Sequence, residues 1–422
     1  MQPTVNHSAD NTTVTWPTIK IGVNAENIRE APYGLLADVL VASTVSPETV
    51  HGPLRIGMMS QRDIRELTVD CAKRFGDLCD WSAIIPRSIS LIVATYRAGN
   101  APVVLADVPD PGEPQYLVPG FLLEDRNVFL SAYGGSAKSI IGMALAISIA
   151  TGEPFAGMRP AKMGPALFLD WEDEADTQSY RMRAICNGYG LKELPKNLYH
   201  WAMNTPLKEA QRAIRRFIKN NGVELVIIDS IGAAIGGELV KEDAAIQAML
   251  ACKGMSPVSR LIIAHVSKAD ADKASTERRT YGSGFFEFGA RDVWQAHRAG
   301  EPGGNEITVA FTNTKNNHGQ KEPFGLTIRF APGTITLDRC DITCEPDLIA
   351  GLSQPDLICY VLKSDGEQTA KELAENTGLR PEILKANLFR LRKQDRVLRL
   401  QSTTGRQDVY SLNWTHPKNA EK

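Results

Sequence analysis

The residues best suited to chemistry lie between Val128 and Leu145, where the chain reads VFLSAYGGSAKSIIGMAL. Apolar residues at 128–130 predict a buried strand, and the apolar segment that follows Ser139 has helical spacing. A turn of small residues and then Lys138 lie between them. In such a strand–turn–helix, the backbone N–H groups of the turn and the helix start point at a phosphate. The stretch predicts a phosphate-binding loop, although a strand–turn–helix with an incidental Lys-Ser pair would look similar.

The pattern G-x-x-x-x-G-K-[ST] describes such loops, and here it has Ala at positions 132 and 137 where it asks for Gly. Ala132 narrows the backbone conformations at the start of the turn. Lys138 would reach the β- and γ-phosphates of a nucleotide, and the Ser139 hydroxyl would bind Mg²⁺. The predicted nucleotide contacts are Gly134, Gly135, Ser136, Ala137, Lys138 and Ser139.

Two later strands end in acidic residues. Strands and helices alternate after residue 112, which predicts a doubly wound α/β domain whose ligands gather at the carboxyl ends of the strands. Residues 166–170 (ALFLD) lead to Glu172, a candidate base for orienting a water that attacks phosphorus. Acidic residues at a helix start would give the same pattern. Residues 224–230 (ELVIIDS) contain Asp229, which we expect to hold Mg²⁺ through water, so ATP and Mg²⁺ are the predicted cofactors.

Two features follow Asp229. His265 ends the apolar strand 260–265 (RLIIAH), and it is either a satisfied core group or a γ-phosphate sensor acting through a water. Residues 268–279 are charged and predict a surface loop.

Composition limits the remaining possibilities. A net charge of −2 gives no sign of a nucleic-acid partner across the whole chain. Seven scattered cysteines predict reduced thiols in a cytoplasmic protein. The first residues lack an apolar secretory segment, and no run of 18 apolar residues predicts a membrane span. The predicted organisation is a disordered tail (1–15), a small N-terminal α/β accessory domain (16–111), an ATPase domain (112–345), a C-terminal domain (352–415) and a second tail (416–422).

The order of the motifs resembles that of the RecA-type hexameric ATPases. The P-loop, DWED, VIIDS, IIAHVSK, ARDVW and TKNNHG occur in that order across residues 116–337. The likeness is strongest to plasmid RepA helicases and their phage relatives, and DnaB-type helicases are more distant. The resemblance implies a RecA-like P-loop core in a hexamer. It also implies these roles: Lys138 and Ser139 as Walker A, Glu172 as catalytic glutamate, Asp229 as Walker B and His265 as phosphate sensor.

The same resemblance implies a cation that acts on the neighbouring subunit's nucleotide. Lys315 falls where the family has such a basic residue, and Arg291 is a second candidate. Related helicases often have Arg two positions after the basic residue, where this chain has Asn317.

The C-terminal residues resemble a winged helix-turn-helix. The expected elements are helices at 356–363, 369–377 and 381–394, and strands at 397–401 and 408–412. Residues 371–406 contain nine basic and four acidic residues, a local excess typical of phosphate contact. The candidate DNA-binding residues are Lys385, Arg392, Lys393 and Arg406. A protein-docking winged helix with a solvated basic face is the alternative.

These observations predict an ATP- and Mg²⁺-dependent DNA motor, a RepA-like hexameric replicative helicase of a phage or mobile element. Single-stranded DNA is the expected partner of the motor, and duplex DNA that of the winged helix. The alternative function is a nucleotide-gated DNA-binding regulator of replication or transcription with little or no ATP turnover.

Overall fold

A computed structural model of the chain describes residues 2–7, 11–45, 50–99, 102–236, 242–266, 286, 289–299, 304–317, 321, 323–340, 354–401, 408–413 and 415. The chain divides into two compact units, residues 1–111 and 112–422. Among the helices of these ranges, none is both long and apolar enough to cross a membrane.

The first unit contains a five-stranded antiparallel sheet and two helices. Its elements are β1 (Thr4–His7), β2 (Asn11–Trp16), β3 (Ile21–Ala31), β4 (Gly34–Ser43), β5 (Val50–Gly57), α1 (Gln61–Phe75) and α2 (Trp81–Ala98). The strands pair in chain order, each with the next. All the strands precede both helices, so this unit is α+β and differs from the expected α/β domain.

Residues expected to form a disordered tail belong to this sheet. β1 pairs with β2, and β2 pairs with β3 along its whole length. In β2, Thr12, Val14 and Trp16 point inward and alternate with partly exposed residues. The expectation of a tail at 1–15 is therefore wrong for these residues. The Asn and Thr content concealed a period-two pattern that threonine, a β-branched residue, supports.

The second unit begins with an α/β domain built on one large sheet. Its elements in order are β6 (Tyr116–Val118), β7 (Leu122–Leu123), β8 (Asn127–Ala132), α3 (Lys138–Thr151), β9 (Ala166–Asp170), α4 (Ala175–Gly188), β10 (Leu198–Ala202), α5 (Leu207–Asn221), β11 (Leu225–Asp229), α6 (Ile231–Ala234), α7 (Glu242–Lys253), β12 (Ser259–His265), β13 (Asp292–Ala299), β14 (Glu306–Asn316), β15 (Phe324–Ala331) and β16 (Thr334–Cys340).

The sheet order brings the predicted motifs together. In the described residues it is β10-β9-β11-β12-β8-β13-β14-β15-β16. The strands from β10 to β13 are parallel, and β14 to β16 are antiparallel additions. The parallel strands β8, β9, β11 and β12 are almost wholly buried, because helices cover both faces, and this explains their continuous apolar runs. The carboxyl ends of β8, β9, β11 and β12 therefore share one edge, which we call the carboxyl edge.

An aromatic cluster holds the antiparallel strands to the parallel ones. The Phe121 ring is fully buried and lies 5.3–6.0 Å, centroid to centroid, from Phe155, Trp294, Phe311 and Phe324. A buried ion pair between Lys321 and Asp292 lies beside this cluster, with the Lys321 ammonium 5.5 Å from the Trp294 ring. Asp292 is the first residue of β13, so the ion pair anchors β13, which lies beside β8.

The C-terminal residues form a small module with its own core. It contains α8 (Gln354–Asp365), β17 (Gln368–Thr369), α9 (Ala370–Thr377), α10 (Pro381–Lys393), β18 (Val397–Gln401) and β19 (Asp408–Leu412). The strands pair in the order β17-β19-β18. The three helices begin and end within two residues of the expected positions, and Thr369 caps α9 through a capping box with Glu372.

Candidate active site

A turn at residues 133–137 connects β8 to α3 at the carboxyl edge. A side chain at Gly134 would meet nothing within 4 Å, and Gly135 has a φ of 79°, which favours glycine. Ser136 is buried, and α3 starts two residues later at Lys138. The free N–H groups of the first turn of α3 therefore face this turn, as an anion site requires.

Lys138 lies inside the turn. Its Nζ donates to the carbonyl oxygens of Ala132 and Tyr133, at 3.0 Å each. Burial lowers the pKa of this ammonium, and the nearby carboxylates of Asp229 and Glu172 oppose that shift. The side chain thus spans the turn and carries its charge where a phosphate bound to the α3 amides would lie.

The two alanines that depart from the glycine pattern differ in the conformational free energy that they cost. Ala137 has φ 56° and ψ 27°, a left-handed conformation that costs a non-glycine residue about 1–2 kcal/mol. Ala132 is the buried last residue of β8, where the backbone is extended and glycine is not required. The structure thus gives a physical reason for glycine at position 137 and none at 132.

Asp229 ends β11 and faces the start of α3. The Ser139 side chain lies close enough to the Asp229 carboxylate to lower its pKa. Burial raises the pKa of Asp229 to about 6, with further raising by Glu172 and Asp170, against the lowering effect of Ser139. The contact brings the two predicted Mg²⁺ ligands together although they lie on different elements.

Glu172 lies in the loop after β9, beside Asp229. Its Oε1 accepts a hydrogen bond from the Ser230 hydroxyl at 2.6 Å and lies 3.5 Å from Nε2 of His265. The His265 contact, followed by the Ser230 bond, lowers the pKa of Glu172 against the opposing effect of burial. The carboxylate is half exposed and ionised at neutral pH, which suits a group that accepts a proton from water.

Ser230 is a site residue that the sequence argument missed. It follows Asp229 through a cis peptide bond, and its side chain is buried. Its hydroxyl is the closest described contact of the Glu172 carboxylate. The only available signal was its position directly after Asp229, and a serine there does not by itself indicate a contact with Glu172.

Asp170 holds the loop that carries Glu172, and its role was also missed. Its Oδ1 accepts the backbone N–H groups of Glu172 and Asp173 at 2.9 Å each. Its Oδ2 accepts from Gln178 Nε2 at 2.6 Å and lies 3.3 Å from His200 Nε2. Burial alone raises the pKa of Asp170, but these four bonds outweigh it and hold the pKa below its ordinary value.

Backbone bonds fix the same loop to its neighbours. The Trp171 N–H donates to the Asp229 carbonyl at 2.8 Å, and the Met203 N–H donates to the Asp170 carbonyl at 2.7 Å. Asp170 and Asp229 are direct partners in the register of β9 and β11. The carboxyl ends of three strands are therefore joined where Glu172 leaves the sheet.

Arg298 is a third residue that sequence reasoning did not find. It lies on β13 two residues beyond Ala296, which pairs with Ala132. Its Nη1 donates to the Gly135 carbonyl at 3.2 Å. A cation of the same subunit therefore contacts the turn between β8 and α3 from the side opposite Asp229.

The two predicted trans-acting cations lie away from this turn. Lys315 pairs with Val293, which pairs with Phe129, three residues or about 10 Å before the end of β8. Its Nζ donates to the Ala290 carbonyl at 3.0 Å. The Arg291 N–H donates to the Asn127 carbonyl, about 16 Å from the end of β8 along the strand. Neither cation completes the site of its own subunit.

Three of the four predicted DNA-binding residues lie on α10. Lys385, Arg392 and Lys393 are exposed on this helix. Arg406 and the charged loop 268–279 lie outside the described residues.

The site suits a nucleotide with Mg²⁺. The hydroxyl of Ser139 and the carboxylate of Asp229 are oxygen ligands of the kind that Mg²⁺ prefers. The open turn at Gly134, the amides of α3 and the Lys138 ammonium provide the anion-binding groups. Glu172 lies near Asp229, and its carboxylate is within hydrogen-bond distance of the Ser230 hydroxyl.

One family model matches the part of the chain that contains this site. Residues 97–271, which include Lys138, Glu172, Asp229 and His265, match a family model described as an AAA domain. No curated protein matches the chain. Among solved structures, it is similar to a KaiC-like protein from the hyperthermophilic archaeon Pyrococcus horikoshii OT3, with 16% identity and a TM-score of 0.37. That likeness covers 54% of this chain and 96% of the archaeal one. The match over residues 97–271 and the site geometry together support a nucleotide-binding P-loop ATPase domain within this chain.

Proposed function

We propose that the protein is an ATP- and Mg²⁺-dependent DNA motor, a hexameric helicase of the RepA type. The observation that carries the ATPase part is the contact of Glu172 with Ser230, directly after Asp229. It puts an ionised carboxylate beside the groups suited to Mg²⁺ and phosphate. The order of motifs along the chain supports the helicase part.

In this proposal the residues divide the work of phosphoryl transfer. The α3 amides and Lys138 bind the β- and γ-phosphates. Glu172 orients the attacking water and accepts its proton at Oε2 or Oε1, while Ser230 and His265 hold the carboxylate in place. Mg²⁺, bound by Ser139 and through water by Asp229, would neutralise charge on the phosphate oxygens.

His265 has a second task in the proposal. It ends β12, which lies between β8 and β11, and it contacts the Glu172 carboxylate at 3.5 Å. A ring in this position can change partner when the γ-phosphate leaves. The loss of the phosphate would then affect the residues that follow β12, which include the charged segment 268–279.

The positions of Lys315 and Arg291 support the proposed oligomer. Lys315 and Arg291 lie near the amino end of β8, 10–16 Å along the strand from the P-loop of their own subunit. We propose that one of them reaches the nucleotide of a neighbouring subunit, as a trans-acting cation that stabilises the developing charge. A closed ring, a hexamer in this proposal, gives every site such a partner.

We further propose that the C-terminal module is a winged helix that contacts DNA. The element order α8-β17-α9-α10-β18-β19 and the exposed basic residues of α10 support this assignment. Lys385, Arg392, Lys393 and Arg406 would contact phosphates.

ATP turnover with and without single-stranded DNA tests the motor. DNA-stimulated hydrolysis that is lost in both Lys138→Ala and Glu172→Gln is the expected result. Glu172→Gln should still bind ATP, because the phosphate-binding groups remain. ATP binding without turnover, unchanged by DNA, would refute the motor and favour a nucleotide-gated DNA-binding regulator.

A further inference from the structure

The outward face of α10 carries an exposed aromatic side chain. Phe389 is 69% exposed, and Ala386, one turn earlier, is exposed beside it. The opposite face, formed by Leu384, Leu388 and Leu391, is buried in the core of the module. Phe389 is thus additional to that core. Because the other face of α10 is buried, the Phe389 ring is available to a partner of this helix.

Cations surround this aromatic group. Lys385 lies one turn before Phe389, Arg390 is adjacent, and Arg392 and Lys393 lie one turn after it, all of them exposed. The sequence of α10 contains one acidic residue, Glu382, at its first turn. A partner with negative charges and an apolar group between them would therefore complement this face.

We propose that α10 enters the major groove of duplex DNA and that Phe389 and Ala386 contact the C5-methyl groups of thymine. This inference rests on the proposed DNA role of the winged helix and deepens it. The major groove admits an α-helix, and the thymine methyl is the apolar group at its base edges. The phosphates on both sides of the groove provide the negative charge that Lys385, Arg390 and Lys393 require.

The test uses the full chain without nucleotide and two 30-base-pair fluorescent duplexes, alternating d(A-T) and alternating d(A-U). The second duplex lacks the C5-methyl groups and is otherwise closely similar. Fluorescence anisotropy should give wild-type protein a three- to tenfold lower Kd for the thymine duplex. Phe389→Ala should raise the Kd for that duplex by the same factor and leave the uracil duplex unchanged. Tyr33→Ala, which removes an aromatic group that is 99% exposed in the first unit, should keep the wild-type preference.

The charged variant Lys385→Ala/Arg392→Ala/Lys393→Ala separates this inference from the DNA role of the module. If it binds both duplexes as tightly as wild type, the winged helix does not bind DNA and both proposals fail. If it weakens both, the DNA role stands, and the methyl contact is judged by Phe389→Ala alone. A Phe389→Ala protein that still prefers thymine, or that loses equal affinity for the two duplexes, would overturn the contact. Because Phe389 is exposed, an unchanged Tm confirms that each result concerns binding.

Discussion

Replacing Asp170 by alanine should slow ATP turnover and leave ATP binding nearly unchanged. Asp170 does not reach the P-loop turn, but its Oδ1 accepts the backbone N–H groups of Glu172 and Asp173 at 2.9 Å each. Alanine removes both acceptors and frees the loop that positions the Glu172 carboxylate. The phosphate-binding groups of α3 stay in place, so kcat should fall while KM for ATP stays within about twofold.

The size of the effect follows from the bonds that are lost. A hydrogen bond to a charged group contributes about 1.5–3 kcal/mol. Every 1.36 kcal/mol of activation free energy changes the rate tenfold. If the activation free energy rises by the contribution of one such hydrogen bond, kcat falls roughly 10- to 200-fold. Asp170→Asn keeps an oxygen for the two N–H groups and should lose less activity. Gln178 can then turn its amide oxygen toward the new Nδ2.

Steady-state hydrolysis with Asp173→Ala as the matched control tests this reasoning. Asp173 lies on the same loop but forms a partly exposed ion pair with Arg181, so its loss should change kcat by less than about threefold. In the double variant Asp170→Ala/Glu172→Gln, kcat should equal that of Glu172→Gln alone. The positioning role would be refuted if Asp170→Ala kept normal kcat, or if its effect multiplied that of Glu172→Gln.

Three further outcomes are expected. Asp229→Asn should abolish Mg²⁺-dependent turnover yet stabilise the metal-free protein by up to about 3 kcal/mol. Because the pKa of Asp229 is raised to about 6 in the folded protein, the wild type loses stability as pH rises from about 4 to 6. The difference in Tm between Asp229→Asn and wild type should therefore be absent at about pH 3.5 and constant above about pH 7. An equal difference at all pH values would contradict this. Asp292→Asn leaves the Lys321 ammonium buried without its carboxylate and should lower the urea-unfolding free energy by about 3–5 kcal/mol; a loss below 1 kcal/mol would show that the pair is not buried in solution. Phe121→Ala should cost about 3–5 kcal/mol in the same assay, and a full-length aliphatic replacement, Phe121→Leu, should cost clearly less.

The amino-acid sequence alone located the turn that precedes Lys138 and the strand that ends in Asp229. Both are local patterns, in which an apolar run, a small-residue turn and a helix start depend on near neighbours. The three helices and the last two strands of the C-terminal module were also predicted to within two residues, since capping and turn residues mark their ends, but the short strand β17 was not predicted. The prediction of a tail was wrong for residues 4–7 and 11–15, where polar residues, several of them β-branched, form strands because they pair with strands later in the chain.

Only the tertiary structure decided which groups meet. Glu172 contacts Ser230, 58 residues away, and His265, 93 residues away, because β9, β11 and β12 are neighbours in the sheet. The anchoring of Glu172 by Asp170 and the contact of Arg298 with the P-loop depend on strand order in the same way. Strand order depends on how the helices pack on the two faces of the sheet. This packing joins residues that are distant along the chain, so no short segment of sequence contains it.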